Sequence, residues 1–237
     1  PSQNANARHS QFIVHRNGNV LGPFTLSVPG LHNLRNATAA VAVGTQLGIS
    51  PDKIAIGLAE FGGVERRFQQ KGTARGVTVV DDYGHHPTEI RATLEAARQC
   101  GFGRILVLFQ PHRYTRTRDL LPEFLHCFDA ADHVWVLDIY AASAAPIAGV
   151  DAPALVRSLA CAEVVYGPSF EAAVEQIAQA AKPGDLVLTM GAGNIHQAAA
   201  MVLAALEAKS TSSEDAGQKR KKTGKNTEKP EKIELSL

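Results

Sequence analysis

The sequence predicts an α/β fold organised around a Rossmann-like, doubly wound, mostly parallel sheet. Two observations carry the prediction. Beyond Gly62-Gly63, strand-like and helix-like runs alternate, which implies right-handed crossovers between parallel strands. Those strand runs are also apolar almost throughout, as strands covered on both faces require.

Taken in order, residues 12–15 and 20–28 flank Arg16-Asn17-Gly18-Asn19 and predict a β-hairpin, which Pro29-Gly30 ends. Over 33–47 a tight helical face of Ala37, Ala40, Val41, Val43, Gly44 and Leu47 precedes Gly48, placed as the glycine just past a helix end. Ser50 as N-cap and Pro51 as first helical residue open a second helix, running to about residue 61. Strands are then expected at 68–74, 77–82, 105–109, 134–137, 164–166 and 186–190, and helices at 87–100, 118–128, 153–160, 169–181 and 195–208. The turn at Arg75-Gly76 makes the first two strands an antiparallel edge hairpin. The expected units are 1–62, 63–208 and a polar tail, 209–237, too poor in apolar residues to offset the entropy of ordering.

With 45% hydrophobic and 20% charged residues the chain has the composition of a globular protein with a sizeable core. Cys100, Cys127 and Cys161 are scattered without C-x-x-C spacing, as expected of a reducing compartment, so a cytoplasmic location is expected. No run approaches the ~18 apolar residues of a membrane span, so no membrane partner is expected. Lys219-Arg220-Lys221-Lys222 lacks interleaved aromatics or a reading helix, which leaves nucleic-acid binding unsupported. The chain opens on Pro1 rather than Met, and is expected to be a fragment.

Two loops carry most of the chemistry. Asp81-Asp82-Tyr83-Gly84-His85-His86-Pro87 and Gln110-Pro111-His112-Arg113-Tyr114-Thr115-Arg116-Thr117 each follow a strand and precede a helix. Such loops line the ligand crevice of an open α/β sheet. A helix starting near Thr115 or Thr117 would crowd Arg113, Arg116 and Arg118 at its positive end, a conflict that a bound anion would resolve. Exposed surface arginines are the alternative. The paired acids can hold a ribose, a metal or a reacting amine, or one can be solvated or cap a turn. His85 and His86 have no further ligands at metal spacing, so no metal site is assigned. His32 or Asn33 could simply cap the first helix, and Arg66-Arg67 could be a surface pair. Gly191-Ala192-Gly193-Asn194 could cradle a phosphate or serve as a tight turn. No G-x-x-x-x-G-K-[ST] loop occurs, so an ATP phosphate cradle would have to lie before Pro1.

Together, Gly30-Leu31-His32-Asn33-x-x-Asn36, Glu65-Arg66-Arg67-Phe68 and the two loops resemble the Mur ligases over about residues 12–206, and the arginine loop resembles the alanine-adding branch. The resemblance implies an ATP- and Mg2+-dependent ligase of peptidoglycan precursor synthesis. It joins L-alanine to the carboxylate of UDP-N-acetylmuramate through an acyl phosphate. It further implies that 1–62 closes a central ATP-binding domain and 63–208 is the C-terminal domain. Carried over, His32, Asn33, Asn36, Arg66 and Asp81 bind the nucleotide. Tyr83, His85, His112, Arg113 and Arg116 face the substrates, the last four as candidate catalytic groups. The Mg2+ ligands are expected upstream, and the chain alone is expected to be inactive. A murein-peptide ligase, another member of the superfamily, or a non-catalytic nucleotide- or anion-binding module are the alternatives.

Overall fold

The computed structural model describes residues 10–160 and 163–208; Cys161 and the tail beyond 208 lie outside them. Strands β1 (Ser10–Arg16) and β2 (Asn19–Leu26) form the expected hairpin. Asn17 and Gly18 both take positive φ, the geometry a two-residue hairpin turn needs. Helices α1 (Leu31–Gln46) and α2 (Pro51–Glu60) pack against it around Phe24, Leu26, Ala37, Val41 and Leu58. The end of α1 is a Schellman motif: Gly48, at φ 76°, donates its N–H to the Thr45 carbonyl, and Ile49 donates to that of Gly44.

A six-stranded sheet follows, in the order β3-β4-β8-β5-β6-β7. Its strands are β3 (Gln69–Ala74), β4 (Val77–Asp82), β5 (Ile105–Phe109), β6 (His133–Val136), β7 (Val164–Tyr166) and β8 (Leu186–Met190). Only β3 runs antiparallel, paired with β4 through the turn at Arg75 and Gly76. One face is covered by α3 (Pro87–Gln99), α5 (Leu121–Phe124) and α6 (Ala152–Ser158), with Ile90, Leu94, Phe109, Phe128 and Leu155 in the core. The other is covered by α7 (Phe170–Ala180) and by α8, helical over 196–208, with Trp135, Ile177, Ile195 and Val202. Each large apolar side chain so buried contributes about 1.5–3 kcal/mol.

The helix after β4 packs on one face and the helix after its neighbour β8 on the other. Their connections diverge, and a crevice opens at the carboxyl ends of these two strands.

Two expectations are corrected. The helix anticipated at 118–128 is broken into α4 (Tyr114–Asp119) and α5. Pro122 has no N–H for the Arg118 carbonyl and its ring would clash there, so the chain restarts at Leu121. Phe68 does not begin β3, because its φ of 47° is outside the strand region.

Candidate functional site

Successive side chains on a strand point to opposite faces, and the two acids ending β4 follow that rule. Asp81 turns towards the α7–α8 face and is 1% exposed. Its Oδ2 accepts from Arg66 Nε at 2.9 Å and its Oδ1 from the Thr189 hydroxyl at 2.6 Å. The rest of the Arg66 guanidinium donates to the Gly191 carbonyl at 2.6 Å and the Gly193 carbonyl at 3.4 Å. Asp82 turns towards α3. It accepts from the Phe68 N–H at 2.8 Å, the Gly84 N–H at 2.7 Å and the Thr93 hydroxyl at 3.3 Å. Burial pushes its pKa above the ordinary carboxylate value, against the pull of those donors and of Arg67. Neither acid is solvated, and Asp82 closes the turn at Gly84.

On the Asp82 side lies a cavity of about 690 Å3 between α1 and the start of α3. From the first segment His32, Asn33 and Asn36 line it, with Ala37, Leu58 and Phe61 as an apolar wall. From the sheet side come Arg67, Phe68, Asp82, Thr88, Glu89 and Thr93. Neither His32 nor Asn33 caps α1. The N-cap is Gly30, at φ 99° and without a side-chain cap, and Asn33 Nδ2 instead donates back to the Pro29 carbonyl at 2.7 Å. Burial lowers the pKa of His32 below 6.5, with Asp82 opposing that shift and Arg67 adding to it.

A second cluster sits at the ends of β4, β5 and β6. The rings of Tyr83, His85, His112 and Tyr140 follow one another at centroid spacings of 5.5, 5.6 and 5.6 Å, and Tyr140 stacks on His112 within 13° of parallel. The guanidinium carbons of Arg66 and Arg67 lie 5.0 and 5.5 Å from the centre of the Tyr83 ring. The hydrogen bonds fix the two imidazole tautomers. His85 Nδ1 lies 3.0 Å from the Tyr83 carbonyl, which only accepts, so Nδ1 carries the proton and Nε2 is a lone-pair acceptor. Arg116 Nη1, which only donates, lies 2.9 Å from His112 Nδ1, so His112 carries its proton on Nε2 and is a donor there. Burial lowers the His112 pKa to about 4, helped by Arg116, His85 and Arg113, and burial lowers that of His85 as well. Both rings are therefore neutral at physiological pH, one a donor and one an acceptor.

The N-terminus of α3 holds this loop. Thr88 N–H donates to the N-cap His86 Nδ1 at 3.2 Å, while Glu89 Oε2 accepts from the N–H groups of His85 and His86 at 3.1 and 3.2 Å. Burial opposes ionisation of Glu89, but those two bonds, with His85 and Arg67, outweigh it and leave its pKa below the ordinary value.

The arginine loop differs from expectation. Because α4 has six residues, Arg116 and Arg118 fall in its last turn, where cations are favourable, and only Arg113 stands at its start, as N-cap with φ 70°. Arg118 pairs on the surface with Asp119 at 2.7 Å. Arg113 is exposed, and among the described residues no carboxylate pairs with its guanidinium or with that of Arg116. Gly191 and Gly193 form a packing turn: a Cβ on Gly191 would stand 2.7 Å from the Gln110 carbonyl oxygen, and one on Gly193 would stand 2.6 Å from Gln110 Oε1. Their carbonyls face the Arg66 guanidinium, which argues against an anion cradle there.

His32, Asn33 and Asn36 thus come together in one place, and His85, His112, Arg116 and Tyr83 in another. Sequence reasoning missed Arg67 and Asp82 as cavity residues, and Tyr140. The period-two alternation of β4 was the available signal for Asp82; Tyr140 had none.

Comparison with known proteins follows the same lines. Residues 66–193 match the family described as "Mur ligase, glutamate ligase domain". The chain is 55% identical over 208 residues to the UDP-N-acetylmuramate–L-alanine ligase of Koribacter versatilis, covering 86% of this chain and 44% of that one. It is 48% identical over 203 residues to the same-named protein of Geobacter sulfurreducens, covering 84% and 44%. The chain therefore spans less than half the length of these curated relatives. Among solved structures, the UDP-N-acetylmuramate-alanine ligase of Thermotoga maritima superposes with a TM-score of 0.67 at 26% identity, over 85% of this chain and 44% of that one. With that match spanning the whole crevice-bearing sheet, the chain belongs to the Mur ligase family.

Proposed function

We propose that this chain is the nucleotide-closing and acceptor-binding part of a cytoplasmic, ATP-dependent ligase that joins L-alanine to the carboxylate of UDP-N-acetylmuramate in peptidoglycan precursor synthesis. The observation that carries this reading is the placement of an Asn-lined cavity and a cluster of neutral histidines with arginines on either side of the short segment 82–85. A nucleoside-sized ligand suits a cavity of about 690 Å3 with an apolar wall and a few polar groups. Asn33 and Asn36 offer amides to a base, and Arg67 and Asp82 stand at the sheet side for ribose and phosphate. Asp81 serves through Arg66, since both its oxygens are engaged within the fold. Apart from Arg67, the residues present suit the nucleoside end. The sequence has no phosphate loop, and among the described residues no cluster of acids and histidines has metal-binding geometry, so the phosphate cradle and Mg2+ ligands are assigned to an upstream domain. The unit over 1–62 belongs with that domain, and 63–208 is the C-terminal domain.

ATP supplies the phosphoryl group that activates a carboxylate. Within this chain, Arg113 and Arg116 attract the acidic substrates. The His112 Nε2–H is a donor for the oxygen that gains charge as the carbonyl is attacked. The His85 Nε2 lone pair can take a proton from the alanine ammonium, freeing the amine to attack, and its lowered pKa lets it be unprotonated at neutral pH. Tyr83 lies under the guanidinium groups of Arg66 and Arg67 and against His85. No helix among the described residues is long and apolar enough to cross a membrane.

The test is a chimera placing the upstream half of the Koribacter versatilis relative before this chain. It is expected to release phosphate from ATP only when UDP-N-acetylmuramate and L-alanine are both present, and the chain alone is expected to release none. A folded chimera that ignores L-alanine, or prefers a peptide acceptor, would overturn the reading.

A further inference from the structure

Tyr140 lies on the loop after β6, outside every motif that pointed to the site, yet it is tied to the arginine loop from both sides. Its N–H donates to the Pro111 carbonyl at 2.8 Å, and its own carbonyl accepts from the Arg113 N–H at 2.8 Å. Tyr140 is 39% exposed, and its ring stacks on His112. Behind the ring runs the glycine turn after β8, so close that a Cβ on Gly193 would stand 2.7 Å from the Tyr140 Cγ. That turn is fastened at its other side by Arg66, through the Gly191 and Gly193 carbonyls, and by Gln110, whose Nε2 donates to Asn194 Oδ1 at 3.0 Å. No bond is formed by the Tyr140 hydroxyl among the described residues, so the ring acts through its face.

We infer that Tyr140 is a positioning residue: seated on the Gly193 turn, its ring holds His112 in the orientation in which Arg116 occupies Nδ1 and Nε2 remains the proton-bearing donor. The glycine turn thereby links Arg66 to His112 through Gly193 and Tyr140. The part His112 plays towards substrate rests on the ligase reading; its positioning by Tyr140 does not. The titratable and charged groups facing His112 are Arg113 and Arg116 from its own loop, His85 from the loop after β4, and Tyr140 itself.

The test is an NMR pH titration of the His112 ring in this chain, with ring-nitrogen shifts reporting the tautomer and the buried Trp135 indole reporting the fold. Wild type is expected to titrate near pH 4 with the proton on Nε2. Tyr140→Phe, which keeps the face, is expected to leave both unchanged. Tyr140→Ala opens the ring to water, so the midpoint rises towards 6.5 and the single tautomer gives way to a mixture. Gly193→Ala, by displacing the Tyr140 ring, is expected to move the midpoint the same way. Unchanged midpoint and tautomer in Tyr140→Ala would overturn the inference whatever happens in Gly193→Ala, and so would a loss in Tyr140→Phe equal to that in Tyr140→Ala. Loss of ligase turnover in the chimera with an unmoved titration would leave the ligase reading standing and remove this one.

Discussion

Arg66 with Asp81, and Arg67 with Asp82, are neighbouring pairs of the same composition set to different tasks. Arg66 and Asp81 meet at 2.9 Å with the acid 1% exposed, and together they fasten β4 to the turn after β8. Arg67 is half exposed, reaches Glu89 only at 3.8 Å, and shares the cavity with Asp82, which is occupied with backbone N–H groups. One residue of offset decides which arginine holds the fold and which is available to a ligand. Charge does not distinguish them; the face of the strand does, and the distance follows from it.

Removing Arg66 should be the most damaging change. Arg66→Met leaves a buried carboxylate with only the Thr189 hydroxyl, and breaking such a pair costs about 3 kcal/mol or more. A urea midpoint unmoved by this substitution would remove the distinction between the pairs. Arg67→Ala is expected to do the reverse: weaken ADP binding by calorimetry about tenfold, roughly 1.4 kcal/mol, with stability changed by no more than about 0.5 kcal/mol.

Asp82→Asn replaces one acceptor oxygen by a donor facing N–H groups, and should cost about 1 kcal/mol at neutral pH. Because burial raises the folded-state pKa of Asp82 above 3.8, its contribution is complete below that value and is lost as pH rises through the folded pKa. The advantage of wild type over Asp82→Asn should therefore be larger in acid than at pH 7. Equal differences at both pH values would mean that the buried carboxylate is not titrating as described. Arg118→Ala, which removes a solvent-exposed pair with Asp119, should change neither binding nor stability measurably.

The architecture was legible because burial on both faces leaves a compositional trace: Ile105-Leu106-Val107-Leu108-Phe109 is buried at every position and could be little else. Gly48 was legible for a different reason, since its positive φ is a local requirement that few other residues meet. What could not be read is which way each of the adjacent Arg66 and Arg67 faces. Arg66 and Phe68 take φ of 57° and 47°, outside any repeating pattern, so no periodicity could be carried across that segment. Arg66 and Asp81, expected at the nucleotide, hold one another and the turn after β8, while their neighbours Arg67 and Asp82 line the cavity. Tyr140 was hidden more deeply, because its position depends on a return of the chain that only tertiary pairing creates.

The strand that completes the sheet is the last to be made. Residues 186–190 insert between β4 and β5, so a ribosome that has released everything up to about residue 180 has delivered a two-stranded and a three-stranded piece with no strand joining them. Each piece has an unpaired edge where β8 will lie, the kind of edge that recruits foreign strands. Thr189 and the turn after it also bring the partners of Asp81 and Arg66. The partners that Asp81 and Arg66 find on β8 and the turn after it therefore arrive only when β8 docks, and a chain truncated before that strand lacks them.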